Sequence, residues 1–295
     1  MKKVLYILSA LFLFTSCEDV IKVNVDQKQV KMVVDAFVNN LPDTQSIYIK
    51  KTAAYFAPIG QQESIDDASV YILDTTNLRI FQFTSAGKGR YIFVPNAITG
   101  DTFTVGTQYI LGVIKGTDTF VSVSTMNATA PILDIKKIYQ SFGGNVDGPG
   151  PKQGDYAELF AQDRAELGNT YWIKSFRNDT FLSSLSQLNI AWDESFSPND
   201  ATNGGNFIFP IRFQGINDFN RPLLAGDKVR VEIHSITNET FAYFQILQIE
   251  NQNGGLFATP PSSIPTNIIP LNAGNKTPTT GWFNMAAASR LEKQF

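Results

Sequence analysis

The chain has 295 residues, and its 24 Lys and Arg against 27 Asp and Glu give a formal net charge of −3. This mild acidity excludes the basic surface on which nucleic-acid binding depends, so we expect no nucleic-acid partner. Charged residues make up only 17 % of the chain and aromatic residues 12 %. Such a composition is typical of a β-rich exported protein rather than a helical cytosolic one.

The N-terminus has the pattern of an export signal. Lys2 and Lys3 precede an apolar run over residues 4–16, and the sequence turns polar directly after Cys17. The run fits the apolar core of a signal peptide, which spans about 7–15 residues, and it is shorter than the ~20 residues that a membrane span needs. We therefore predict a signal peptide over residues 1–16.

Cys17, the only cysteine, stands at the predicted cleavage point. The small residues 15–16 before it resemble the lipobox of bacterial lipoproteins, although Phe14 departs from the usual leucine. The resemblance implies acylation (palmitate) of Cys17 and anchoring in outer-membrane lipid, because several acyl chains together hold a protein effectively permanently. The acidic pair Glu18 and Asp19 resembles a surface-export tag of Bacteroidetes lipoproteins. We expect a cell-surface location, with the periplasmic face and an ordinary secretory signal left as alternatives.

After a predicted tether over residues 17–29, the first region has the pattern of an immunoglobulin-like or transthyretin-like β-sandwich. Its segments are short, rich in β-branched and aromatic residues, and separated by turn residues, as in sandwich proteins. We predict this domain over residues 30–127. The predicted strands are 31–38, 46–53, 68–74, 78–83, 90–94, 108–115 and 119–125.

The second region, residues 128–295, is predicted to form a second mainly-β domain that carries one amphipathic α-helix. The helix is expected near residues 238–252, with Thr237 or Asn238 as its N-cap and Asn253-Gly254 at its end. Residues 156–162 fit either a helix or a strand. The predicted strands are 170–176, 207–213, 227–236 and, as the last one, 281–290.

The sequence contains no pattern of catalytic or metal-binding residues, and we predict a non-enzymatic protein without a cofactor or a metal. His234, the only histidine, is expected to be half-exposed on a strand rather than to act as the base of a catalytic triad. One histidine cannot supply a zinc site. Residues 145–148 resemble part of an EF-hand, but the twelfth position would be Gly154 instead of glutamate. Paired acids leave a glycan hydrolase as a less favoured alternative.

Aromatic residues give the best indication of ligand binding. Trp192 and Phe196 lie in a long loop rich in polar residues, and Tyr55 and Phe56 lie at a predicted strand end. Exposed rings of this kind bind glycans or peptides by stacking, and ligand pockets are rich in them. These four residues are the candidate ligand contacts, whereas packing against the ends of the sandwich is the interpretation that we favour.

Several segments are considered together with Cys17: KMVVDAFVNN (31–40), IDDASVYILD (65–74), GKGRYIF (87–93), TQYILGVIKG (107–116), VRVEIHSITNETFAYFQILQ (229–248), PPSSIPTNI (260–268) and GWFNMAA (281–287). In their order and spacing they resemble a family of Bacteroidetes outer-membrane lipoproteins that is known only as a domain of unknown function. The resemblance covers nearly the whole chain after the signal peptide. It implies genes beside those of TonB-dependent receptors, and hence an accessory binding role with such a β-barrel receptor in nutrient uptake. A structural or adhesive surface protein is the alternative.

Overall fold

The protein is mainly β, as predicted. The computed structural model describes residues 30–53, 62–142, 150–182, 188–193, 204–253, 263–272, 274 and 277–295. The strands are β1 Met32–Asn39, β2 Gln45–Lys51, β3 Ser69–Asp74, β4 Arg79–Ser85, β5 Arg90–Phe93, β6 Gln108–Lys115, β7 Asp118–Thr125, β8 Ile132–Gln140, β9 Gly154–Ala161, β10 Thr170–Arg177, β11 Thr180–Phe181, β12 Asn189–Trp192, β13 Lys228–Ile236, β14 Ile269–Pro270, β15 Thr279–Ala286 and β16 Ala288–Gln294. The α-helices are α1 Phe209–Phe213 and α2 Asn238–Gln252.

The first sheet is a β-sandwich built from nine strands in the order β14-β7-β6-β3-β4-β5-β2-β1-β15. Strand β4 pairs with β3 along most of its length, and its last two residues, Thr84 and Ser85, pair with β5. The sheet therefore turns from one layer to the other at β4. Alternate residues of each strand point into the core. The largest fully buried side chains of this core include Tyr91, Tyr109, Phe81, Phe83, Phe120 and Phe283.

Strand β7, which is next to the two-residue edge strand β14, approaches β15 at the other end of the sheet, so the sheet is nearly closed. The backbone N–H of Met285 donates to the hydroxyl of Ser124 at 2.9 Å. Residues 269–270 pair with β7, and the side-chain amide of Asn267 forms two hydrogen bonds with the backbone of Phe283 in β15, at 2.8 and 2.9 Å. Residues 267–270 thus bridge the seam between β7 and β15.

Strand β15 also pairs in parallel with β1 over its whole length, so residues 279–286 complete a sheet that begins at residue 32. Strand pairing does not test which parts of the chain fold on their own. The predicted division into residues 30–127 and 128–295 therefore stays a prediction. The segment 281–290, expected to be one strand, is two: β15 in the first sheet and β16 in the second.

The second sheet has the strand order β11-β10-β13-β16. Strand β12 also pairs with β10, along the edge opposite β13. The hairpin β8-β9 and helix α1 cover one of its faces. Strand β9 settles residues 156–162 as a strand rather than a helix. The core between these elements contains Ala130, Ile135, Ala157, Leu159, Tyr171, Ile173, Ile211, Val229, Val231 and Ile233.

Helix α1 corrects the prediction of a strand over residues 207–213. Pro210 lies in the first turn of this helix, where its missing N–H costs no hydrogen bond. In a central strand the same proline would remove a ladder hydrogen bond. The alternation of apolar residues in FIFPIRF therefore reflects a short, partly buried helix.

Helix α2 confirms the predicted helix and its cap. The Thr237 hydroxyl accepts the backbone N–H of Thr240 at 3.2 Å. The helix lies on the outer face of the first sheet, where Phe244 stacks on Phe37 with ring centroids 5.2 Å apart. These contacts place α2 between the sandwich and the second sheet.

Ser235 holds two of the chain connections between the sandwich and the second sheet, the one after β7 and the one after β15. Its hydroxyl donates to the carbonyl of Asn127 at 2.5 Å and accepts the backbone N–H of Ala287 at 3.1 Å. The backbone N–H of Ser235 donates to the carbonyl of Ala287 at 2.9 Å. One side chain of β13 thereby fixes the ends of β7 and β15 against each other.

Candidate functional site

An open cleft beside Trp192 lies at one end of the second sheet, and we call it the Trp192 cleft. Its empty space, counted together with the open solvent at its mouth, is about 380 Å³. Residues from β10, β12, α1 and two loops line it. They are Asp163, Tyr171, Ala191, Trp192, Asp193, Gly205, Asn206, Phe207, Ile208 and Ile211.

The inner wall of the Trp192 cleft is apolar and aromatic. Tyr171 on β10 pairs across the sheet with Ala191 on β12, and both side chains are buried. The ring of Phe207 lies against Tyr171 with centroids 5.4 Å apart. Ile211 on α1 completes the wall. Alternation along β10 turns Tyr171 toward α1, so the helix packs over it and forms the side of the cleft.

Two carboxylates lie at the polar end of the Trp192 cleft. The Tyr171 hydroxyl donates to Asp163 Oδ1 at 2.7 Å, and Asp193 Oδ1 accepts the backbone N–H of Gly168 at 3.0 Å. Burial raises the pKa of Asp163, and the charge of Asp193 raises it further, although three hydrogen bonds to Asp163 act in the opposite direction. Burial is the main cause that raises the pKa of Tyr171, and the hydrogen bond to Asp163 raises it further.

Trp192 borders the cleft while its ring packs on the other side of the sheet. The ring centroid lies 5.7 Å from that of Phe241 in α2. The indole N–H is buried and has no hydrogen-bond partner within the described part of the chain. An unpaired buried donor is costly, and it is available to an acceptor that reaches it. Trp192 therefore joins a packed aromatic cluster to the edge of the cleft.

The other sequence-predicted site residues lie outside the described residues. These are the predicted ligand contacts Tyr55, Phe56 and Phe196, and the predicted lipid site and export tag Cys17, Glu18 and Asp19. Residues 194–203, between Asp193 and Gly204 in the sequence, are outside as well. Their assignments stay predictions.

His234 is buried, which corrects the expectation of a half-exposed strand histidine. It is 2 % exposed, and its Nε2 lies 2.9 Å from Glu232 Oε2. Arg290 on β16 binds the other carboxylate oxygen of Glu232 at 2.8 Å. This side of β13 faces α2 and the sandwich instead of solvent, so its polar residues form a buried network. The alternation of apolar and polar residues along a strand shows which side chains share a face of the sheet. It does not show which face is covered by other elements.

The charges of this network are set by burial and by neighbouring groups. Burial lowers the pKa of His234 to about 4, and the nearby Lys174 contributes in the same direction. Burial alone would raise the pKa of Glu232, but its hydrogen bond from His234 and the charges of Arg290 and Lys174 outweigh this and lower it to about 2. Burial lowers the pKa of Lys174 to about 8. At neutral pH, His234 is therefore neutral and Glu232 is ionised.

Sequence reasoning missed most of the Trp192 cleft. Asp163 reads as a turn residue and Tyr171 as an ordinary strand residue, while Phe207 lies about 40 residues away along the chain. Their meeting depends on the pairing of β10 with β12 and on the position of α1. No local pattern of residues carries that information.

Neither a metal centre nor a membrane helix is found in the described ranges. No group of three or more His, Cys, Asp or Glu side chains there is placed to hold a metal ion. None of the helices described is long and apolar enough to cross a membrane. The charged groups of the Trp192 cleft are thus two carboxylates, and its other polar groups are amide, hydroxyl and indole.

Comparison with known proteins finds one family. The profile of a domain of unknown function, DUF4249, matches residues 18–291. No curated protein matches the chain significantly.

Proposed function

Because this chain belongs to the DUF4249 family, a family without an established function, we propose a role from its own residues. It is a non-enzymatic, lipid-anchored binding protein of the outer membrane that acts with a TonB-dependent β-barrel receptor in nutrient uptake. The binding role and the anchor rest on separate observations.

The Trp192 cleft is the observation that carries the binding role. It combines an apolar wall with a few polar groups at one end, which is the usual composition of a small-ligand site. The wall is held by strand pairing between β10 and β12 and by α1. A wall formed by paired strands keeps its shape when it is empty, so little ordering of the protein opposes binding.

The anchor rests on Cys17 and the apolar run before it. A Cys17→Ala variant is expected to leave the membrane fraction, because all acyl chains depend on that one thiol. Fractionation of cells that express the wild type or the variant measures this, and a second variant, Ser16→Ala, keeps the cysteine and a small residue before it. Cys17→Ala that stays with the membranes would exclude the lipid anchor.

The receptor is tested by a tagged pull-down from gently solubilised outer membranes of the native host. We expect a β-barrel receptor to co-purify with the wild type. Deletion of the gene is then expected to reduce uptake of the cargo of that receptor. If deletion instead impairs cell attachment or envelope integrity while uptake stays intact, the structural or adhesive alternative is favoured and the uptake role is wrong.

A glycan hydrolase is the second candidate, because the Trp192 cleft contains two carboxylates. A pair of acids of which one has a raised pKa is the arrangement of glycosidases, and the pKa of Asp163 is raised by burial and by Asp193. Incubation with glycans and detection of new reducing ends separates the two roles. Product release that Asp163→Asn abolishes would support hydrolysis, and binding without product would support the binding role.

A further inference from the structure

We propose that the outward face of the layer β14-β7-β6-β3-β4 is the interface between two copies of this chain. We call it the outer apolar face, and the inference does not depend on the Trp192 cleft or on the uptake role. The apolar residues of this face are Tyr71, Leu73, Ile80, Ile110, Ile114, Val121, Val123 and Ile269, and its other residues are Ser69, Gln82, Thr84, Gln108, Gly112, Thr119 and Thr125.

The composition of the outer apolar face is unusual for a sheet in contact with water. An antiparallel sheet with one solvated face usually alternates apolar residues inward with polar residues outward. The residues of this face all lie in the described part of the chain, and none of them is charged. Ile80 and Ile269 are 60 % exposed and Val123 is 50 % exposed. A contiguous exposed apolar patch marks an interaction site.

Strand pairing makes the apolar residues of this face contiguous. In an antiparallel pair, directly opposite residues lie on the same side of the sheet with their Cβ atoms about 5 Å apart. One such row crosses four neighbouring strands without a polar interruption. It consists of Ile80, Leu73, Ile110 and Val123.

The centre of the outer apolar face is flat because the side chain of Tyr71 lies on Gly112. These two residues are directly opposite each other on β3 and β6. A Cβ added at Gly112 would be 2.2 Å from Tyr71 Cζ, so the ring occupies the space above the glycine backbone. A second sheet can therefore approach this face to the usual distance of about 10 Å between packed sheets.

The opposite outer face of the sandwich is covered by the chain itself. There Phe37 on β1 packs against Trp172 and Phe244, with ring centroids 5.6 and 5.2 Å away. Trp282 on β15 stacks on Tyr243 of α2 at 4.4 Å. Helix α2 and the second sheet supply these contacts, whereas the rows of the outer apolar face stay exposed. A cover for the outer apolar face has to come from another molecule.

The area of the outer apolar face reaches the lower limit for a stable dimer. Five strands about 4.8 Å apart, with three rows of outward residues about 7 Å apart, span about 24 by 20 Å, which is about 500 Å² on each copy. Two copies together would bury about 1,000 Å², and a specific interface needs about that much.

The outer apolar face is also complementary to itself. An isologous contact places the same patch of both copies face to face, and a patch without charged residues brings no like charges together. Two ion pairs lie at the ends of these strands, Arg79 with Asp101 at 2.5 Å and Lys115 with Asp67. These charges are neutralised within each copy. A second copy therefore fits the face better than a partner that is recognised by its charge.

Analytical ultracentrifugation tests the proposal on the mature protein, residues 17–295 with Cys17→Ala, over about a hundredfold range of concentration. We expect twice the mass of one chain, with dissociation on dilution. Val123→Lys should raise the dissociation constant at least about tenfold, because a charge in an apolar interface loses its hydration. Leu133→Lys changes an apolar residue of β8 that is 57 % exposed, and as the matched control it should leave the dimer unchanged.

Ile80→Lys is the second variant on the face and should act like Val123→Lys. The mass of the protein without these substitutions decides the matter even if a variant fails to fold. A monomer at every concentration overturns the proposal. A dimer that both variants leave intact, or that Leu133→Lys weakens equally, also overturns it, because the interface then lies elsewhere.

The pull-down described above identifies the other occupant of the face. If the protein is monomeric and Val123→Lys loses a β-barrel receptor that the wild type retains, the face binds the receptor and the proposed dimer is wrong. A dimer that the two variants weaken and Leu133→Lys does not supports the proposal, whether or not a receptor co-purifies. The uptake role and the dimer can therefore fail separately.

Discussion

The burial of His234 predicts how the stability of the protein depends on pH. The imidazole is 2 % exposed and its pKa is lowered to about 4 by burial and by the positive charge of Lys174. In the unfolded chain the pKa of a histidine is about 6.5. Between these values the unfolded state binds a proton that the folded state does not. Stability is therefore highest above about pH 6.5 and falls as the pH is lowered toward about 4.

The size of the effect follows from the difference between the two pKa values. Each pKa unit corresponds to about 1.4 kcal/mol, so acidification from about pH 6.5 to 5 should cost about 2 kcal/mol. His234 is the only histidine, so no other imidazole contributes. Asp35 and Asp163, whose pKa values are raised by burial, contribute with the opposite sign, and they do so equally in a variant that lacks the histidine.

The measurement is the free energy of unfolding from urea titrations at several pH values, for the wild type and for His234→Gln. Glutamine keeps a donor for Glu232 but does not titrate. We expect the wild type to lose about 2 kcal/mol relative to the variant between about pH 6.5 and 5. Parallel pH dependences of the two proteins would refute the reasoning, because they would mean that His234 is protonated equally in the folded and unfolded states.

Three further substitutions test the fold. Ser235→Ala removes the hydroxyl that binds Asn127 and should lower the free energy of unfolding by about 1–3 kcal/mol, since buried partners lose their hydrogen bonds; a change below the error of the urea titration would contradict the role of this residue. Gly281→Ala, at φ +110° with the added Cβ 2.0 Å from the Val34 carbonyl oxygen, should cost about 3 kcal/mol or more, seen as a lower melting temperature or insoluble protein. Thr237→Ala should cost about 1 kcal/mol through loss of the helix cap, whereas Thr237→Ser should keep most of the stability in the same thermal melts.

The sequence predicted the parts of the fold that depend on local pattern. The alternation in residues 31–38 and the cap at Thr237 correspond to β1 and α2, because strand periodicity and capping involve neighbouring residues. The strand expected over residues 207–213 was wrong, since Pro210 favours the first turn of a helix. The missing backbone N–H of Pro210 was a better indicator of the local structure than the alternation of apolar residues.

The parts that escaped prediction depend on contacts between distant segments. His234 was placed on the correct face of its strand, but the cover of that face comes from α2 and the sandwich. Asp163 and Phe207 meet only because β10, β12 and α1 come together. Trp192 alone among the predicted ligand contacts lies in the described residues, at the edge of the cleft whose acids and wall the sequence did not indicate.

The completion of the first sheet by residues 279–286 affects the biosynthesis of the protein. Strand β1 leaves the ribosome early, but its parallel partner β15 follows about 240 residues later, which is tens of seconds at the usual rate of about 5–20 residues per second. During that time one edge of β1 has no partner, and the seam that Asn267 spans stays open. The nascent chain therefore cannot reach its native sandwich before synthesis is nearly finished. Until then the unpaired edge of β1 can pair with a strand of another chain, so the order of synthesis makes the unfinished protein prone to aggregation.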